Sequence, residues 1–173
     1  MASYFYLMSG LPMLKANGEM PIKYHEFLSC CEKTVSASIY DLLNELSVNT
    51  TQGPLVKEWA EFYRKFNDEL AFQRNKKLGH QQNQYFDKDD DASKVISVAI
   101  SDNNPLNAEL TLLSFLFNKL DDLIGTHVFD DYALFGYALK LKLLERKTVF
   151  NTEIGKSELD RLVKKIEEQI AKI

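Results

Sequence analysis

The chain has 173 residues, 45% of them hydrophobic and 27% charged, with a formal net charge of −4. That composition is ordinary for a folded globular protein and excludes collagen-like and low-complexity classes. The acidic balance argues against a general nucleic-acid binder, which needs a basic surface.

A chain of this length should bury roughly 70% of the surface that its unfolded form exposes. One domain over 1–173 is therefore expected, with possible sub-lobes 1–80 and 92–173 joined by a polar loop at 80–92. The two cysteines, Cys30 and Cys31, are adjacent. Neighbours bridge only with strain, so no disulfide framework is expected, and a reducing compartment is. The apolar opening from Ala2 to Leu14 has no positive n-region and is interrupted by Pro12, so it does not read as a signal peptide. No run approaches ~18 apolar residues, so no membrane span is expected.

Charge is unevenly spread. Lys140 to Ile173 carries a net +3, and the first 139 residues carry −7. Six acids and one base lie between Asp102 and Asp131. Such a run reads either as solvated helix faces or as an acidic surface that docks a basic partner.

In chain order, Tyr24, Phe27 and Leu28 after Pro21 predict a short helix. Ile39, Leu42, Leu43 and Leu46 predict a second, ended by the polar loop Ser47 to Gly53. The third has Pro54 at its first position, Gly79 just past its end, and the stripe Leu55, Trp59, Phe62, Tyr63, Phe66, Leu70. Asn67 and Arg74 stand where that stripe should continue, which turns both towards the core or an interface. His80 to Ala92 reads as an exposed loop. Ser93 to Ser101 is ambiguous between helix and strand, and helix is favoured because nothing nearby offers a pairing strand.

Asn104 and Pro105 predict a cap and a first helical turn. Leu106, Leu110, Leu113, Phe117 and Leu120 follow as one stripe, with Glu109 on the same face and Gly125 closing the helix. Asp130 opens the next helix, with Asp131 in its first turn, where acids favour the positive dipole end. That helix is apolar on two sides, through Leu134, Tyr137, Leu141, Leu144 and through Phe135, Leu139, Leu143. It is therefore expected at the centre. Gly155 to Ile173 reads as an amphipathic C-terminal helix. The expected fold is all-α, with six or seven helices packed as hairpins.

Chemistry is sparse. No phosphate loop, GxGxxG, GxSxG or HExxH occurs. His25, Cys30 and Cys31 lack zinc-site spacing, and the two cysteines read as small buried residues. Asp87, Asp89 and Asp91 begin like a calcium loop, but Ala92 and Val98 stand where Gly and Glu are needed. Asp130 and Asp131 point ~100° apart on a helix, so capping explains them better than acid/base chemistry. No cofactor, metal or catalytic residue is expected. Arg74, Asn67 and Glu109 are the unusual residues. They read as an Arg74–Glu109 ion pair that joins two helices, with Asn67 taking the remaining donors. A polar spot in a binding groove and a small helical enzyme using Arg74 and Glu109 are the alternatives.

The opening Tyr4-Phe5-Tyr6-Leu7-Met8-Ser9-Gly10-Leu11-Pro12 resembles the "YYFLxxxLP" start of a small bacterial family. Trp59, Phe62, Asn67, Leu70, Arg74 and Leu78-Gly79 fit its long helix. Asn104-Pro105, Glu109, Leu120-Asp121 and Phe129-Asp130 follow. Tyr137, Leu139, Lys140, Leu141, Leu144, Arg146, Phe150 and Gly155 complete the likeness, which covers nearly the whole chain. That family is typically encoded among the subunits of bacterial V/A-type ATPases. It is regarded as a counterpart of their C subunit (d in eukaryotes), a non-catalytic helical socket.

The resemblance implies a fold like one lobe of that subunit. It implies partners in the central-stalk subunits and the proteolipid ring, and a cytoplasmic place peripheral to the inner membrane, with membrane contact only through partner proteins. Asp121, Asp122, Asp130 and Asp131 are the candidate partner surface. A free-standing helical adaptor is the alternative.

Overall fold

Half of the helix that opens after Asp130 consists of buried residues, and it packs between two other helices. The computed structural model describes residues 4–80, 89–148 and 152–170. Among them are eight helices and no strand. They are α1 (Phe5–Gly10), α2 (Tyr24–Cys31), α3 (Ala37–Asn44), α4 (Val56–Lys77), α5 (Asp90–Ser101), α6 (Pro105–Ile124), α7 (Asp131–Thr148) and α8 (Thr152–Ile170). No described helix is long and apolar enough to cross a membrane.

α7 takes the central place that its two apolar sides require. One side faces α6, where Gly136 meets Ile124 and the Lys140 ammonium lies 5.5 Å from the centre of the Phe117 ring. The other faces α2, where Tyr137 packs on Phe27 at 5.5 Å and Lys142 covers the Tyr24 ring at 3.5 Å. α4, α5 and α6 pack in sequence, and α3 packs on α2. One continuous core holds Trp59, Phe27, Phe135, Ile96 and Leu120, drawn from α4, α2, α7, α5 and α6. Each such side chain contributes roughly 1.5–3 kcal/mol by leaving water.

Several boundaries differ from the sequence expectation. α4 begins at Val56, so Pro54 is not its first helical residue. Leu55 instead has a φ of 64° in a three-residue turn, closed by the Val56 N–H on the Pro54 carbonyl at 2.7 Å. Burial of the Leu55 side chain and of Val56 offsets that strain. Gly53 precedes it at φ 123°, and a Cβ there would lie 3.0 Å from the Phe135 ring.

At the other end α4 closes on Gly79 (φ 81°). The Gly79 N–H binds the Lys76 carbonyl and the His80 N–H binds that of Asn75, a Schellman cap.

The expected loop from His80 to Ala92 ends earlier than its composition implied. Asp90, Asp91 and Ala92 belong to α5, and the Asp89 carboxylate accepts from the Asp91 and Ala92 N–H groups as its cap. Residues 81–88, including Asp87, lie outside the described residues. Ser93 to Ser101 is helical, with Ala92, Ile96 and Ala99 buried. α8 starts at Thr152, before Gly155, and its Leu159, Leu162, Val163 and Ile166 remain exposed. Of the cysteines only Cys31 is buried, and Cys30 is exposed. They are ~100° apart on α2, so only one can face the core.

Candidate functional site

α4 carries Arg74 in its last turn, and α6 carries Glu109 one turn after its cap. The two side chains meet across the helices, Arg74 Nη2 donating to Glu109 Oε1 at 3.3 Å. The pair is not a core feature, because the side chains are 51% and 32% exposed. Leu70, one turn before Arg74, is the last buried residue of α4. Leu106, at the start of α6, is itself mostly exposed. The apolar stripes therefore run out into solvent where the polar residues stand. Asn67 is half-buried and hydrogen-bonds to neither partner, so it does not complete the cluster. An exposed pair of this kind joins helix ends for about 0–1 kcal/mol.

Asn67 and Glu109 line a narrow cleft between α4, α6 and α7, floored by Leu70, Leu110, Leu113 and Leu143. Its interior space is about 40 Å³, room for a few waters.

One buried carboxylate escaped the sequence reading. Glu69 is 3% exposed, and Gln73 Nε2 donates to its Oε1 at 2.5 Å and to the Ser93 carbonyl at 3.2 Å. The signal was present, since Trp59, Phe62, Phe66, Glu69 and Gln73 recur at spacings of three and four. Phe62 and Phe66 pack on Phe115 of α6, and Gln73 reaches α5 at Ser93.

The four acids of the candidate surface do different jobs. Asp121 pairs with Lys140 of α7. Asp130 is the cap of α7, accepting from the Ala133 N–H at 3.1 Å and pairing with His127. Partial burial opposes ionisation of Asp130, but the His127 bond and the backbone N–H groups outweigh it and hold its carboxyl below the usual value. Asp131 accepts from the Tyr4 hydroxyl at 2.7 Å. Asp122 is exposed and makes no ion pair among the described residues.

The N-terminal segment is tied to this corner. The Tyr4 N–H binds the Phe129 carbonyl at 2.8 Å, and Phe5 packs edge-on to Phe129 at 4.8 Å. Farther along, the Tyr137 hydroxyl donates to the Pro12 carbonyl at 2.8 Å. Lys147 donates to the carbonyls of Ala16 and Gly18.

Among the described residues no group of three His, Cys, Asp or Glu side chains is placed to hold a metal ion. Comparison of the chain with protein families, curated proteins and solved structures finds no match. The site is therefore interpreted from its own geometry.

Proposed function

We propose that the chain is a non-catalytic helical adaptor that works as a C-subunit-like socket of a bacterial V/A-type ATPase, between the central stalk and the proteolipid ring. The observation that supports this reading is the interlock of its two most distinctive segments. Tyr4 and Phe5 of the opening motif hold Phe129 and Asp131, and Pro12 holds Tyr137. These are the same stretches that carry the family resemblance, and together they brace the acidic corner at Asp121 to Asp131 on a rigid scaffold. A socket that transmits torque needs such bracing, because a contact on a loose loop yields before load is passed on. In this reading the protein is cytoplasmic and reaches the membrane only through its partners.

The test is a pull-down with purified central-stalk subunits and with proteolipid ring. Binding at micromolar concentration, weakened by salt, is the expected result. Binding to neither would leave the free-standing adaptor as the better account.

A further inference from the structure

Between α1 and α2 the chain crosses residues 11–23 without a helix or strand. Side chains hold this strap to the rest of the molecule. The Tyr137 hydroxyl takes the Pro12 carbonyl, and the Lys147 ammonium donates to the carbonyls of Ala16 at 3.2 Å and Gly18 at 2.9 Å. Leu14, Ala16, Met20 and Ile22 pack against the core. In its middle the strap makes a turn, closed by the Gly18 N–H on the Lys15 carbonyl at 3.1 Å.

Asn17 and Gly18 lie in that turn. Asn17 is exposed, and its amide oxygen accepts a long bond from the Ser114 hydroxyl at 3.4 Å. Asn17 is the only asparagine of the chain that glycine follows. The turn favours glycine there, because a Cβ at position 18 would lie 3.3 Å from Lys15 Cβ. Glycine has no side chain to shield its own nitrogen from a neighbouring group. That nitrogen can close a five-membered ring onto the Asn17 Cγ, the chemistry that makes asparagine a labile residue. The turn bond must open first, and no helix or sheet ladder opposes the opening.

We infer that Asn17 is a site of spontaneous deamidation, and that its isoaspartyl product loosens the strap. The Gly18 nitrogen gives its proton to solvent and attacks the Asn17 Cγ. A Cγ–N bond forms and the Cγ–Nδ2 bond breaks, so that Nδ2 takes up a proton and leaves as ammonia. Water then opens the cyclic imide. Cleavage of the new Cγ–N bond gives an ordinary aspartate at position 17. Cleavage of the original backbone C–N bond leaves the chain running through the side chain, with an extra methylene in it. The Ala16 and Gly18 carbonyls stand on either side of that insertion, so the Lys147 ammonium cannot keep both. This inference does not depend on the socket reading above.

The full chain is held at neutral and at mildly alkaline pH, and its asparagines are followed by peptide-mapping mass spectrometry. Asn49 is the internal control, since it is also exposed in a loop but precedes Thr50. Asn17 is expected to convert at least about 10-fold faster than Asn49, a barrier difference of about 1.4 kcal/mol. The rate rises with pH, because the attacking nitrogen must lose its proton. Aspartate and isoaspartate both appear at position 17, and the Asn17→Gln variant keeps its amide there. The isoaspartyl form, isolated by chromatography, is compared with the Asn17→Asp variant, which has the same charge and an ordinary backbone. It is expected to melt about 2–4 °C lower than that variant and to exchange the amide hydrogens of residues 11–23 faster. Conversion within about twofold of Asn49, or aspartate without isoaspartate, overturns the attack by Gly18. Equal melting and equal exchange in the isoaspartyl form and the Asn17→Asp variant overturn the loosened strap.

Discussion

Gly136 of α7 lies directly against Ile124 of α6. A Cβ at position 136 would come within 2.5 Å of Ile124 Cγ1 and closer still to its Cδ1. The absent side chain is therefore what allows the central helix to approach α6 at this level.

Gly136→Ala gains up to ~1 kcal/mol of helix propensity but forces a β-branched neighbour aside at ~1–3 kcal/mol. Net destabilisation of about 1 kcal/mol is expected in urea unfolding. In an Ile124→Ala background the clash is gone, so the same substitution should stabilise. A double-mutant cycle measures the coupling, and additivity of the two changes would remove the close-packing explanation.

Arg74 and Glu109 should behave as a surface pair. Arg74→Ala and Glu109→Ala are each expected to cost under ~1 kcal/mol, with a coupling that fades in high salt. A loss of ~3–5 kcal/mol from either substitution is the signature of a buried pair and would contradict the exposed geometry.

Asp130→Ala removes the cap of α7 and should cost ~1 kcal/mol, whereas Asp130→Asn keeps an acceptor for the Ala133 N–H and should cost less. The depressed carboxyl stabilises the fold above its unfolded value near 4, and that stabilisation is lost as pH falls through the lower folded value. Melting temperatures against pH should therefore show a shallower acid-side decline for Asp130→Ala than for wild type.

The alkaline side has a separate origin. Burial, reinforced by the Asp131 carboxylate, pushes the Tyr4 hydroxyl up from 10.0 to about 12. Burial, with Cys30 nearby, raises both Tyr137 and Cys31 to about 12. The folded state holds these protons more tightly than the unfolded chain does. Their contribution is complete below the unfolded values and disappears as pH rises from roughly 9 through 12. A progressive fall in melting temperature over that window is expected. Tyr4→Phe should reduce its slope, and an unchanged slope would show that Tyr4 ionises freely in the fold.

Much of the architecture was legible because it is written locally. Asn104 with Pro105, and Gly79 and Gly125 at helix ends, act within a turn of their own position. The stripes of α4, α6 and α7 repeat often enough to be counted. What was missed depends on distant partners. α1 is only six residues long, too short to show a period, and the Tyr4–Phe129 contact ties its start to a residue far along the chain. The turn at Leu55 contradicts the backbone preference of leucine, and the core surrounding its side chain imposes it. Periodicity brought Arg74 and Glu109 to one seam but did not say that the seam ends in water. The four acids of the candidate surface looked alike in sequence. They were sorted by Lys140, His127 and Tyr4, each contributed by a different part of the chain.

α4 and α5 each finish themselves. The Schellman cap at Gly79 satisfies the last carbonyls of one, and the Asp89 carboxylate satisfies the first N–H groups of the other. These bonds are made within residues 75–80 and 89–92. An affinity handle spliced in between the two caps should therefore leave both of these helix ends capped. Such an insertion should keep the α4–α5 packing, which includes the Gln73 bond to the Ser93 carbonyl. A fluorescent probe carried there would report on any partner that docks at the acidic corner, with that corner itself untouched.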